Sequence, residues 1–341
     1  MKLQKLLIIA SALGLVASGA HAQAPIVGYV SKTIAAGSVA TPNTDVFSLT
    51  LSDEADAADI GTVAGPISGF TSNTITDSVA AFTNLPTTSQ PYFVKITSGA
   101  EAGRIFQITA SSATILTIDN GGTDLTTTSL ANGDNYQIFE GATLGSFFAG
   151  ADVENGASSN ADLVAFRVGG QWLTFYQDAT GDWFQPGLEF LGDENDRVIN
   201  PQTGAILYSR RGTTPLTLIN SGLVPDTQAV VELPTGVTFL SGLFPVDSDL
   251  NSLDLENLPG SAWASNSALQ DGSAATADVL SFNDGSGWKQ YVYNTNVGSN
   301  GWLEVGLGFL GPQNPSIPAG TPILLERGAG SAGTYTRSLP Y

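Results

Sequence analysis

The stretch DLVAFRVGGQWLTFY, residues 162–176, decides the fold. Two runs rich in β-branched and aromatic residues, 163–168 and 171–176, flank Gly169-Gly170, a pair able to take the positive φ angles of a type I′ turn. A tight antiparallel hairpin is the expected result. The same grammar returns in DVLSFNDGSGWKQY, residues 278–291, where the turn is built from Asn283, Asp284, Gly285, Ser286 and Gly287.

Further anchors recur outward from these hairpins. Trp183, Phe190-Leu191-Gly192, Gly204, Ile206-Leu207 and Arg211-Gly212 in the first copy correspond to Trp302, Phe309-Leu310-Gly311, Gly320, Ile323-Leu324 and Arg327-Gly328 in the second. The spacing is constant from the aspartate to the first tryptophan, widens by three residues at the second, and returns at Arg-Gly, as loop insertions between fixed anchors produce. Two copies about a hundred residues apart predict a duplicated domain, not a solenoid.

Elsewhere short runs rich in Val, Ile, Thr, Phe and Tyr (46–51, 92–97, 104–109, 114–118 and 136–139) alternate with Gly, Asn, Asp and Pro clusters. Residues 67–76 and 106–118 both read as strand, polar turn, strand. The one helix-like segment, 52–60, is short and alanine-rich and reads as a loop or single turn. The fold class expected is therefore all-β, with mainly antiparallel sandwich or barrel-like modules and an internally duplicated C-terminal region. The segments TLGSFF (143–148) and FLSGLF (239–244) stand ahead of the two copies. They set the expected organisation: a cleaved signal peptide over 1–22, an N-terminal β-module over 23–141, repeat copy 1 over 142–234 and repeat copy 2 over 235–341.

The signal peptide is read from Lys2 and Lys5, an apolar run over 6–16, and the small-x-small site Ala20-His21-Ala22. The run is too short to cross about 30 Å of hydrocarbon, and no later stretch approaches a spanning length, so no transmembrane helix is expected in the mature chain. The expected location is outside the cytoplasm: extracellular, cell surface or periplasm.

The 341-residue chain carries 31 acids against 12 bases, one histidine and no cysteine. Loss of residues 1–22 removes His21, Lys2 and Lys5, so the mature charge becomes still more negative. Nucleic-acid binding, which depends on cations displacing counterions, is excluded. So are Ser/His and Cys/His nucleophile pairs, His-ligated catalytic zinc and thiolate redox chemistry. Two literal dinucleotide patterns, at Gly306 to Gly311 and at Gly328 to Gly333, lack the following helix and read as turn glycines. Ser286 and Lys289 lie at a hairpin turn, where residues three apart face opposite sides, and do not read as a nucleophile pair.

The run TSG (97–99) to GRIF (103–106) with Ile108, then 114–118, Gly133-Asp134, Tyr136, Ile138 and TLGSFF (143–148), resembles a paralogous family of exported, signal-peptide-bearing bacterial β-rich proteins of unknown function. Residues 162–211 resemble that family's next segment, so the likeness covers most of the mature chain. It implies an exported β-protein and carries no catalytic residue with it.

Three kinds of candidate site remain. Asp247, Asp249 and Asn251 stand at alternate positions as in a calcium loop, although Ser252 replaces the turn glycine and Leu258 the bidentate Glu. Asp193-Glu194-Asn195-Asp196 is a looser acidic cluster whose bland reading is a solvated loop. Trp172, Trp183, Trp288, Trp302, Tyr176 and Tyr293 recur at matched positions and read as core; Trp263, outside the shared pattern, is the better glycan platform. Glu189, Glu304, Glu326 and Asp182 lie near tryptophans and supply the acids a glycoside hydrolase would need, but neither Glu189 nor Glu304 belongs to the shared framework. The function expected is a non-enzymatic structural or binding protein of the envelope, surface or matrix, with glycans or other matrix components as partners. A carboxylate-based glycan-active enzyme and an outer-membrane β-barrel are the alternatives.

Overall fold

A computed structural model describes residues 26–86, 89–168, 171–263, 277–295, 301–327 and 332–341. The signal peptide, the Gly169-Gly170 turn and Gly328 to Gly330 lie outside the described residues. The chain is all-β, its named strands pairing antiparallel throughout. Among the described residues no sheet closes into a barrel, and no helix is long and apolar enough to cross a membrane.

One five-stranded sheet runs Trp183–Phe184, Gln171–Gln177, Leu163–Val168, Ala205–Arg210, Asn43–Ser48. Beside it lie a ribbon of Val27–Ile34 with Leu216–Leu223 and a short pair of Ala142–Thr143 with Val198–Ile199. The second five-stranded sheet runs Gly301–Glu304, Trp288–Asn294, Val279–Asn283, Ile323–Arg327, Gly236–Leu240. Its ribbon is Ala229–Leu233 with Gly333–Arg337, and its short pair is Ser248–Asp249 with Ser316–Ile317. The two units share one connectivity.

This pairing places the strands of 23–141 differently from the linear organisation. Val27–Ile34 and Asn43–Ser48 complete the first unit by pairing with Leu216–Leu223 and Ala205–Arg210. Only residues 53–140 form a sheet of their own, which interrupts that unit between Ser48 and Ala142. Within it the two strand-turn-strand elements become neighbouring hairpins, since Thr74–Thr76 pairs with Ile115–Asp119. The helix-like segment reduces to one turn, Ala57–Ile60, capped by Asp56 through the Ala58 amide at 2.8 Å.

Register also re-assigns one anchor. Leu163 faces Ser209 and Val279 faces Glu326, so Arg210 is the counterpart of Arg327, and Arg211 is not. Arg210 meets Asp162 at 2.5 Å and Arg327 lies 3.8 Å from Asp278, all four side chains being buried. Each aspartate also brackets the chain before it: the Glu154 and Ala262 amides donate to Asp162 Oδ2 and Asp278 Oδ2 at 2.9 Å.

Each unit and the inserted sheet has its own apolar core. The units are tied where their edge strands end. Ser48 donates from N and Oγ to Gly320 O at 2.9 and 3.2 Å, while Ser241 donates from N to Gln202 O and from Oγ to Pro201 O at 2.9 and 2.7 Å. Gly320 sits at φ +74°, and a Cβ there would press to 3.0 Å against Val30.

Candidate functional site

The tryptophans divide into two sorts. Trp183 and Trp302 are fully buried at 0% exposure, whereas Trp172 and Trp288 are 46% and 43% exposed. Strand alternation explains the split. Leu173 and Phe175 point into the first core, so Trp172 and Thr174, of the opposite parity, share the outward face. In the second unit Tyr291 faces the core and Trp288 and Gln290 are exposed. Trp172 stands across from Arg167 and meets Phe239 of the second unit edge-on at 5.4 Å. Trp288 stands across from Asn283. The core reading therefore holds for the second tryptophan of each unit and fails for the first.

Trp263 takes a different place from a free platform. Its indole is half-buried, edge-on to Trp302 at 5.2 Å and to Tyr293 at 6.5 Å, and its Nε1 donates to Glu256 O at 3.1 Å. Tyr176 is buried and donates to Glu189 Oε1 at 3.0 Å.

Asp247 and Asp249 line one polar cleft, whereas Asn251, the first residue of the 3-10 turn Asn251–Leu253, is not part of its lining. Their polar atoms hold loops: Asp247 Oδ1 accepts from Ala319 N at 2.9 Å, Asp249 Oδ1 from Ser252 N at 2.8 Å, and Asn251 N donates to Asn314 Oδ1 at 3.0 Å. Among the described residues no three His, Cys, Asp or Glu side chains group as a metal site.

Of the four acids near tryptophans, Glu326 is exposed on its strand and the other three are engaged. Backbone donors, including Gly187 N, hold the Glu189 carboxyl below its usual range. Glu304 pairs with Lys289 at 3.4 Å, so Lys289 is not free for Ser286, whose hydroxyl donates to Asp284. Asp182 accepts from Asn195 Nδ2 at 2.8 Å. One acid that sequence reasoning missed stands out, Glu256: burial pushes its carboxyl up, and the Asp254 charge adds to the rise. Its Oε2 has no hydrogen-bond partner among the described residues. The available signal was its place between Leu255 and Leu258, both buried.

A raised carboxyl has a defined pH signature. The unfolded chain deprotonates Glu256 near the ordinary value of about 4.3, the folded chain only at higher pH, so the destabilisation sets in above that value and is complete above the folded pKa. Glu256→Gln should therefore melt above the parent protein at pH 7, the gap narrowing toward pH 4. Melting curves across that range check it, and a gap independent of pH would refute it.

Compared with protein-family models, with curated proteins and with solved structures, the chain matches none of them.

Proposed function

We propose that this is an exported, non-enzymatic structural or binding component of the cell envelope, surface or matrix, and that its exposed tryptophans meet glycan. The observation that carries this reading is that Trp172 and Trp288, at the same position of two units, both remain nearly half exposed. Packing explains Trp183 and Trp302; Trp172 lays one edge against Phe239, yet it and Trp288 both leave nearly half their surface in water. A flat indole beside polar groups suits a sugar ring, whose axial C–H bonds form an apolar face with a hydroxyl rim. Arg167 and Thr174 near Trp172, and Asn283 and Gln290 near Trp288, supply those polar groups. The 3-10 turns Glu189–Leu191 and Gly308–Leu310 add exposed apolar tips, Phe190 and Leu191 on one unit and Leu310 on the other, which suit contact with a matrix.

The test is retention of the mature protein on immobilised polysaccharides. The double variant Trp172→Ala, Trp288→Ala should lose retention while its melting temperature falls by no more than about 5 °C, as expected for two partly exposed residues and the one edge-on contact with Phe239. Retention that survives the double change would overturn the reading, as would turnover of the polysaccharide by the parent protein.

A further inference from the structure

A cavity of about 300 Å³ lies where the inserted sheet, both units and the segment connecting them converge, away from the tryptophan surface. Its size is at the lower end of the range of roughly 300–1,000 Å³ typical of small-molecule sites. One wall is a row across three neighbouring strands of the inserted sheet, with Lys95 directly between Ile105 and Gln137. Phe139, stacked on Phe93 at 5.5 Å, extends that wall. Leu51 comes from the first unit and Phe244 from the second. Tyr341 ties the connecting segment to the second unit: its hydroxyl donates to Pro225 O and its ring packs edge-on against Phe244 at 6.1 Å.

The connecting segment is held in place by direct backbone contact. Gly103 has φ +95°, and a Cβ there would lie 1.7 Å from Gln228 O, so only glycine lets the inserted sheet approach this closely. Val230 N donates to Gly103 O at 3.2 Å, and Arg104 reaches Glu232 at 2.5 Å. The cavity is thus a fixed feature of the way the parts join.

Its charged side chains form one ion pair. Lys95 Nζ lies 3.0 Å from Asp226 Oδ1, with side chains 15% and 76% exposed. Among the described ion pairs Asp226 is the most exposed carboxylate, and it faces an ammonium that is mostly buried. Arg104, Arg210 and Arg327 by contrast each hold a carboxylate that is itself largely buried. A carboxylate so fully hydrated contributes little to the pair and can leave it without losing a buried partner. A cation lining a mostly apolar cavity, with an exchangeable counter-ion, is complementary to a ligand that brings its own carboxylate on an apolar body.

We propose that this cavity binds a small monocarboxylate with an apolar chain or ring, the ligand carboxylate replacing Asp226 on the Lys95 ammonium. Gln137, opposite Lys95 in register, supplies an amide donor to the second carboxylate oxygen. The apolar part lies against Ile105, Phe139, Leu51 and Phe244.

Calorimetric titration of the full mature chain with octanoate and with octanol tests this. The two probes share an apolar chain and differ in the charged head. Octanoate should bind at least about tenfold tighter than octanol, the increment of one charge-assisted hydrogen bond. Lys95→Met should erase that preference while leaving octanol binding in place. Asp226→Asn, a change at an exposed position, should tighten octanoate several-fold and leave octanol unaffected, because it removes the competing carboxylate. Equal affinity for the two probes, binding of neither, or weaker octanoate binding in Asp226→Asn would each overturn the proposal. So would octanoate binding that survives Ile105→Trp, which fills the cavity, in a variant shown to fold by its melting transition.

Discussion

Asp162→Ala should lower the stability of the first unit by about 3–5 kcal/mol, the range for removing one partner of a buried ion pair. The side chain is fully buried and organises five donors. Its Oδ2 accepts from Arg210 Nη1 at 2.5 Å, Tyr208 OH at 2.6 Å and Glu154 N at 2.9 Å. Its Oδ1 accepts from Arg211 N at 2.5 Å and Gly212 N at 3.2 Å. Burial and the aspartate charge push the Tyr208 hydroxyl up, so it stays protonated and remains a donor. Alanine at this position leaves a buried guanidinium, a buried phenol and three amides without their acceptor.

Arg210 does not become free when its carboxylate is lost. It stays tied to Thr214 O at 2.9 Å, Asp152 O at 3.0 Å and Thr214 Oγ1 at 3.0 Å, so the charge remains buried without compensation. A paired change, Asp162→Leu with Arg210→Met, removes both charges and should cost less than the single change, because the penalty lies mostly in the orphaned partner. The melting transition of the first unit should fall by roughly 6–20 °C in the single variant. A fall below about 2 °C, or a paired variant weaker than the single one, would show that the aspartate does not organise this network.

How much of this was readable in advance depended on the range of each interaction. The hairpins were legible because their information is local: Asp284 caps Ser286 N at 2.8 Å and Gly285 takes φ +91°, as the turn residues require. The insertion was not legible, because Asn43 pairs with Arg210 and Val27 with Leu223, and such distant pairing leaves no mark on the neighbouring sequence. The Arg210-Arg211 doublet offered two registers, and a one-residue shift exchanges the two faces of a strand. Only the Leu163 to Ser209 pairing selects Arg210. Of the surface aromatics, Trp172 could have been found by parity, since it alternates with Leu173 and Phe175, both packed in the first core. Trp263 could not, because its packing partners Tyr293 and Trp302 are brought to it only by the fold.

Trp183→Ala should cost about 3–5 kcal/mol, the range for deleting a buried aromatic, while Trp172→Ala on the same strand pair should cost only about 1 kcal/mol, the worth of its edge-on contact with Phe239. Trp183 is closed in by Phe148 at 5.0 Å between ring centroids, and truncation leaves a cavity that the surrounding strands have no means to fill. The equivalent Trp302 lies 5.2 Å from both Trp263 and Tyr293, and Trp302→Ala should cost a similar amount. Neither indole Nε1 has a hydrogen-bond partner among the described residues, so these residues are held for volume and not for their N–H. Trp183→Phe should accordingly cost only roughly 1–3 kcal/mol, since it removes part of the volume and no hydrogen bond. Denaturant unfolding of the three variants of the first unit measures the order directly. If Trp172→Ala proved as costly as Trp183→Ala, the outward tryptophan would be a packing residue, and its exposure in both units would need no ligand. If the order holds, packing accounts for one tryptophan of each unit and leaves the other to a partner.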